Sequence, residues 1–294
     1  MGLFFSSDRF TRPGPGVRPD APRKKGVARL AEIMGRDMWN FFRAGFLAFL
    51  GCLPFIIGMF FAVETHALLF MLLAGIIGGL IAGPELSAMA DTVLRSLRDE
   101  PGYWWETYRR VWKRNARESL VPGMLTGLVL SMQIFTLFHM SVISAGIVTW
   151  VLLILSFVVT LGLESYIWPQ IALLDLPLYG ILKNSLLLFL GYLPRSLGAI
   201  AIKAVYWGAI LLFFPLTTII LPFTNFWLPM LPALLCIYQP LNKCFTIEST
   251  INKMREDELN AALAKDNEPL PEDPTKRAEE STEASSGDSS SDVQ

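Results

Sequence analysis

The sequence predicts an all-α fold: a polytopic membrane helix bundle of about six transmembrane helices, with cytoplasmic interfacial amphipathic helices beside it. Three observations predict it. Hydrophobic residues make up 52% of the 294-residue chain and charged residues 17%, with a mean hydropathy of +0.44, whereas soluble domains carry about 25% charge. The charge is missing mainly between Met38 and Tyr238, where runs such as "NFFRAGFLAFLGCLPFIIGMFFAV" and "GIVTWVLLILSFVVTLGL" occur. A helix of roughly 20 apolar residues crosses a hydrocarbon core of about 30 Å. Finally, Lys and Arg concentrate on alternate connections, the bias that sets membrane orientation.

Residues 1–36 hold eight Lys/Arg against Asp8, Asp20 and Glu32. Their low apolar content predicts a basic, disordered cytoplasmic tail. The first apolar run starts beyond residue 37 with no small-residue cleavage site after it, so it reads as a span and not as a signal peptide.

A transmembrane domain is expected over 37–248, with spans at about 39–63, 67–90, 119–140, 144–168, 197–220 and 224–241. The connections 63–67, 140–144 and 220–224 contain no Lys or Arg, whereas 91–118 hold seven. Lys183, Arg195, Lys243 and Lys253 fall on the same side as the N-terminus in this order. Both termini are therefore expected in the cytoplasm and the bundle in the plasma membrane. The stretch 169–196 is apolar but interrupted by Asp175, Pro177, Lys183 and Pro194, and reads as an interfacial helix or a re-entrant segment. A seventh crossing there would carry the C-terminus, with Lys243 and Lys253, to the far side; six crossings are preferred. Residues 249–294 are expected to be an acidic, Ser-rich, disordered cytoplasmic tail, with twelve Asp/Glu against four Lys/Arg from Met254 onward.

An internal echo suggests two three-helix units. A span carrying Glu85 leads to an element bearing "KRN" (113–115), and a span carrying Glu164 leads to one bearing "LKN" (182–184). Repeats of this kind are frequent in transport folds.

The segment "PGYWWETYRRVWKRNARESL", 101–120, interleaves aromatics with bases. At helical spacing Trp105, Tyr108, Trp112 and Ala116 share a face, with Arg110, Lys113, Arg114 and Arg117 on the neighbouring arc. Between spans on the Lys/Arg-rich side, this pattern predicts an amphipathic anchor on an anionic cytoplasmic leaflet, formed by Trp104, Trp105, Tyr108, Arg109, Trp112, Lys113, Arg114 and Arg117. Nucleic acid is not an expected partner, because no soluble domain is present to present these bases.

Within the spans the ionisable residues are Arg43, Glu85, Glu164 and Lys203. Intramembrane charge marks a functional site by default. Two readings stand: a buried polar cluster in which Lys203 pairs with Glu164 or Glu85, or separate groups that snorkel and cap near the interface, Arg43 foremost. Gly75, Gly79 and Gly83 repeat at four-residue spacing and predict close helix packing inside one bundle, with homodimerisation as the alternative. Pro215 is the expected kink. Cys52, Cys236 and Cys244 lack metal or disulfide spacing. His66 and His139 are the two histidines, both near expected outer ends, with no His-Glu-x-x-His pattern. No Walker loop or Gly-x-Ser-x-Gly elbow occurs, so neither an enzyme nor a cofactor is expected.

Three stretches together resemble the YesL family of bacterial integral membrane proteins: "WNFFRAGFLAFLGCLPFIIG", "AGPELSAMADTVLRSLRDEPGYWWETYRRVWKRNARESL" and "YIWPQIALLDLPLYGILKNSLLLFLGYLPRSL". They supply a first span ending in Leu-Pro, a Gly-Pro turn into a small-residue helix, an aromatic-basic segment closing on a Lys/Arg-Asn pair, and a later Pro before a Lys-Asn segment. The likeness covers roughly residues 37–215. It implies a multi-span protein without an established activity, associated with carbohydrate uptake and degradation systems, and it carries over no catalytic or binding residue. The long acidic tail departs from the compact family pattern. The expected function is a non-catalytic accessory or regulatory partner of such a membrane system, with a membrane-protein partner or a second copy of the chain; the alternative is a small-solute transporter or channel.

Overall fold

The computed structural model describes residues 23–100, 102–140 and 146–266. Two compact units divide the chain after Phe245. The first unit is all helical: α1 (Gly26–Thr65), α2 (Leu68–Arg98), α3 (Trp104–Phe138), α4 (Ile147–Leu173), α5 (Leu178–Gly191), α6 (Leu193–Leu212) and α7 (Trp227–Phe245). Six helices, with α7 counted from Leu221, are long and apolar enough to cross a membrane. Phe46, Leu50, Ile57 and Phe60 on α1, and Val151, Leu152, Ile154 and Leu155 on α4, are exposed. A contiguous apolar belt of this kind on a folded chain suits hydrocarbon as the surrounding medium. The expected polytopic helical membrane bundle is therefore present.

Helix ends differ from expectation where polar partners were not visible in sequence. α1 begins at Gly26, inside the stretch expected to be a disordered tail over 1–36; residues 1–22 lie outside the described residues. The described residues of 101–120, the segment expected to be an interfacial helix, do not form a helix of their own. From Trp104 the segment is the first half of a continuous 35-residue helix that includes the third span. Pro54, Pro84, Pro122 and Pro169 stay inside continuous helices, whereas Pro215 follows the end of α6 and kinks none. The second unit contains helix α8 (Ile247–Asp266), so part of the expected acidic tail is helical and the rest, 267–294, lies outside the described residues.

The glycine stripe explains the closest pairing. A Cβ on Gly79 would come within 3.1 Å of the Met124 Cα, and one on Gly123 within 2.9 Å of the Gly83 Cα. Gly75 sits in the same seam against Leu128 and Ser131. α2 and α3 thus touch backbone to backbone, the close approach that small residues permit. The stripe is occupied within the chain, which is the packing reading and not the dimer reading. Outside the stripe, a π-helical turn over Ala74–Gly78 brings Gly78 against Phe55 of α1.

Contacts also fix helix directions. Arg114 donates to the Ala172 carbonyl and Gln133 to the Thr160 hydroxyl, both at 2.8 Å, so α3 and α4 are antiparallel. Gln170 donates to Ser185 at 2.8 Å and Gly162 lies against Phe189, so α5 runs back along α4. At Tyr192 the chain bends sharply: the Ser196 hydroxyl bonds the Phe189 carbonyl at 3.1 Å, although seven residues of straight helix rise about 10.5 Å. α6 and α7 are antiparallel, with Tyr192 beside Cys244, Tyr206 beside Thr224, and the rings of Trp207 and Phe226 5.3 Å apart.

α7 then returns beside α1. Phe41 stacks on Trp227 at 5.9 Å, Phe42 on Phe223 at 5.9 Å, and Gly45 is covered by Asn225. The 223–227 end of the α6–α7 connection therefore packs on the half of α1 that carries Arg29 and Arg36, near the middle of that helix. The expected six-span order put 220–224 at the opposite end. The difference traces to α5: its 14 residues rise only about 21 Å, short for a span, yet they reverse the chain once more.

Candidate functional site at the basic end of the bundle

The N-terminal arginines do more than bias orientation. α2 ends at Asp99, held in the left-handed region at φ 58°, a conformation Asp tolerates. The last carbonyls of a helix lack intrahelical donors and sit at the negative end of its dipole. Arginines from the start of the chain supply both hydrogens and charge. Arg36 donates to the Ser96 carbonyl at 2.8 Å, Arg29 to the Leu97 carbonyl at 3.1 Å, and Arg23 to the Arg98 carbonyl at 3.1 Å. All three also bind Asp99: Arg29 at 2.6 Å, Arg23 at 3.1 Å, and Arg36 through a further short bond. This cap ties the first turns of α1 to the end of α2.

Burial pushes the Asp99 carboxyl up, but the hydrogen bonds and charges of Arg36 and Arg29 outweigh it and hold the group below the usual carboxylate range. A depressed pKa stabilises the fold above the unfolded value of roughly 3.9 and loses that contribution as pH falls through the folded value. Hydrogen-exchange protection of residues 26–36 is therefore expected to fall on acidification below about pH 4. In Asp99→Asn it should already be reduced at neutral pH, with that acid step missing.

Beneath the cap, a cavity of about 290 Å³ is lined by α1 (Arg36, Asp37, Asn40), α2 (Thr92, Arg95, Ser96) and the approach to α3, including Trp104 and Thr107. Arg95 pairs with the buried Asp91 at 2.7 Å, and Arg98 with Glu100 at 2.8 Å, both carboxylates nearly enclosed. A second cavity, about 320 Å³, opens between Arg117, Glu118 and Val121 of α3 and the 175–178 turn before α5. Both openings lie at the Arg-rich end.

The expected anchor residues divide into two sets. Tyr108 is buried and donates to Glu85 at 2.5 Å, and the Trp112 indole donates to the same carboxylate at 2.9 Å. Trp104 is half-buried, with Arg43 stacked between it and Trp39 at 5.6 and 5.0 Å. Trp105, Arg109, Lys113 and Arg117 are exposed, and so is Arg114 apart from its bond to Ala172. The face turned inward is Tyr108, Val111, Asn115 and Ser119, so the expected aromatic face is rotated: Tyr108 faces protein, not lipid.

Glu85 is thus the α2–α3 link, resting over Gly51 of α1, and not a partner of Lys203. Lys203 pairs with Glu164 at 3.9 Å, and Trp168 donates to Glu164 at 3.2 Å. The gap beside this pair holds about 10 Å³. Of the expected three-member cluster, the structure brings two members together.

Sequence reasoning missed the buried Asp91, Arg98, Glu100 and Asn115. The i,i+4 spacing of Asp91 and Arg95 was the available signal. Among the described residues no group of three or more metal-ligating side chains converges. Compared with known proteins, the chain matches no family model, no curated sequence and no solved structure.

Proposed function

We propose that this chain is a non-catalytic accessory protein of the plasma membrane, one that docks a partner membrane system at its Arg-rich end. The observation that supports this reading best is where the space lies. Two cavities of about 290 and 320 Å³ open among charged side chains at that end, while the intramembrane pair Glu164–Lys203 has about 10 Å³ beside it. A docking face needs exposed, varied chemistry, and Trp105, Arg109, Lys113 and Arg117 present it next to both openings. The likeness to the YesL family suggests a carbohydrate-uptake system as the partner. The alternative, a small-solute transporter or channel, rests on the Glu164–Lys203 pair.

In this proposal the Arg-rich end faces the cytoplasm. Among the described residues it carries Arg23, Lys24, Lys25, Arg29 and Arg36 and the seven Lys/Arg of 91–118. With α5 counted as a reversal, α7 leads the chain to the other side, and the end of α7 at Phe245 is then extracytoplasmic, in place of the cytoplasmic placement expected from six spans.

Photo-crosslinkers placed at Trp105 and Lys113 in native membranes test the docking. The expected product is one discrete membrane-protein adduct from both positions, absent from crosslinkers at the lipid-facing Leu152. Solute flux from the purified protein alone in liposomes would instead support the transporter.

A further inference from the structure

The two histidines of the chain, 73 residues apart, meet at the bundle end opposite the arginine cap. His66 occupies the α1–α2 turn in the left-handed region, φ 54°, and is exposed; His139 caps α3 and is buried. Nδ1 of His66 lies 2.7 Å from Nε2 of His139, with the rings at 82° to one another. Nδ1 of His139 lies 2.7 Å from the Phe135 carbonyl oxygen. A carbonyl only accepts, so that Nδ1 carries the hydrogen and Nε2 keeps its lone pair, aimed at His66.

A hydrogen bond from the far ring nitrogen to a carbonyl is the support that orients metal-ligating imidazoles. Among the described residues, the three helices that carry or flank the pair bring no cation near it. α1 from Ala44 to Val63, α2 from Leu68 to Pro84 and α3 from Ser119 to Phe138 contain no Lys, Arg, Asp or Glu, and Glu64 is the nearest charged residue along the chain.

We propose that His66 and His139 form an open two-imidazole site for a divalent late first-row metal ion such as Zn²⁺, Co²⁺ or Ni²⁺, a class that imidazole suits. The ion bonds Nδ1 of His66 and Nε2 of His139, and water fills its other positions. Metal–nitrogen bonds of about 2.0–2.1 Å in tetrahedral geometry hold the two nitrogens roughly 3.3 Å apart. The exposed His66 ring swings out by about half an ångström to reach that spacing, and its hydrogen moves from Nδ1 to Nε2 through solvent.

The test uses the purified full-length chain with any affinity tag free of histidine, titrated with Co²⁺ by visible absorption and with Zn²⁺ by calorimetry. The expected result is one saturable equivalent at pH 7.5, about tenfold or more weaker in both His66→Gln and His139→Gln. His66→Gln changes an exposed side chain, so it keeps the fold, and circular dichroism checks the helix content of both variants. Absence of saturable binding in the native chain, or native affinity in His66→Gln, overturns the site.

Discussion

Leucine at Gly79 or Gly123 is expected to abolish folded protein. At both positions the nearest atoms belong to backbone, not to side chains that can turn aside: Gly79 faces Gly123 and Met124, and Gly123 faces Gly83. Even alanine places its Cβ closer to main-chain atoms than Cβ atoms are found, and α2 and α3 must separate to admit it. Overpacking of a tight interior costs about 1–3 kcal/mol for extra methylenes, occasionally more. The alanine variants should therefore accumulate with lowered thermal stability in detergent. The leucine variants should be recovered only as aggregate or be degraded. Gly198 and Gly208 on α6 have open space where a Cβ would stand, so leucine there is expected to be tolerated. Since leucine has a higher helix propensity than glycine, an equal loss at all four positions would contradict the seam as its cause.

The second large effect concerns Glu164 and Lys203. Lys203 is buried, 7% exposed, with Glu164 as its ion-pair partner. Breaking a buried pair from one side leaves an uncompensated charge and costs about 3–5 kcal/mol, whereas removing both charges is often neutral. Glu164→Gln and Lys203→Met should each be strongly destabilised, and the double variant should recover most of the loss in a thermal-melt assay. Additive losses in the double variant would mean that the two charges do not act as a pair. The recovered double variant also separates stability from activity: a docking role at the other end should survive it, and a transport role built on the pair should not.

How much of this was legible in sequence differs by element. The six long helices were readable because their apolar runs exceed the thickness of a bilayer, and the glycine stripe was readable by its spacing. The reversal through α5 was not. Asp175, Pro177, Lys183 and Pro194 dilute its apolar signal, and a 14-residue helix falls below the length that marks a span. The arginines of the N-terminal stretch were visible as charge, but their role as caps depends on contacts 60 to 75 residues away. In the aromatic-basic segment the helical period was visible and its rotation was not. What turns Tyr108 inward is the Glu85 carboxylate on another helix, and no pattern within 101–120 contains it. The His66–His139 contact was hidden for the same reason, since each histidine alone looks like a helix-end residue. Local periodicity names faces; long-range polar pairing decides which face is buried.

The direction of the last helices is the structural feature on which the proposed orientation depends, and one measurement addresses it. Paired reporters are fused after Gln294 and expressed in a bacterial host: alkaline phosphatase, active only outside the cytoplasm, and green fluorescent protein, fluorescent only within it. With α5 reversing the chain and 223–227 beside Phe41 and Phe42, phosphatase activity without fluorescence is expected. Fluorescence without phosphatase activity would contradict it and restore a six-span order with both termini in the cytoplasm.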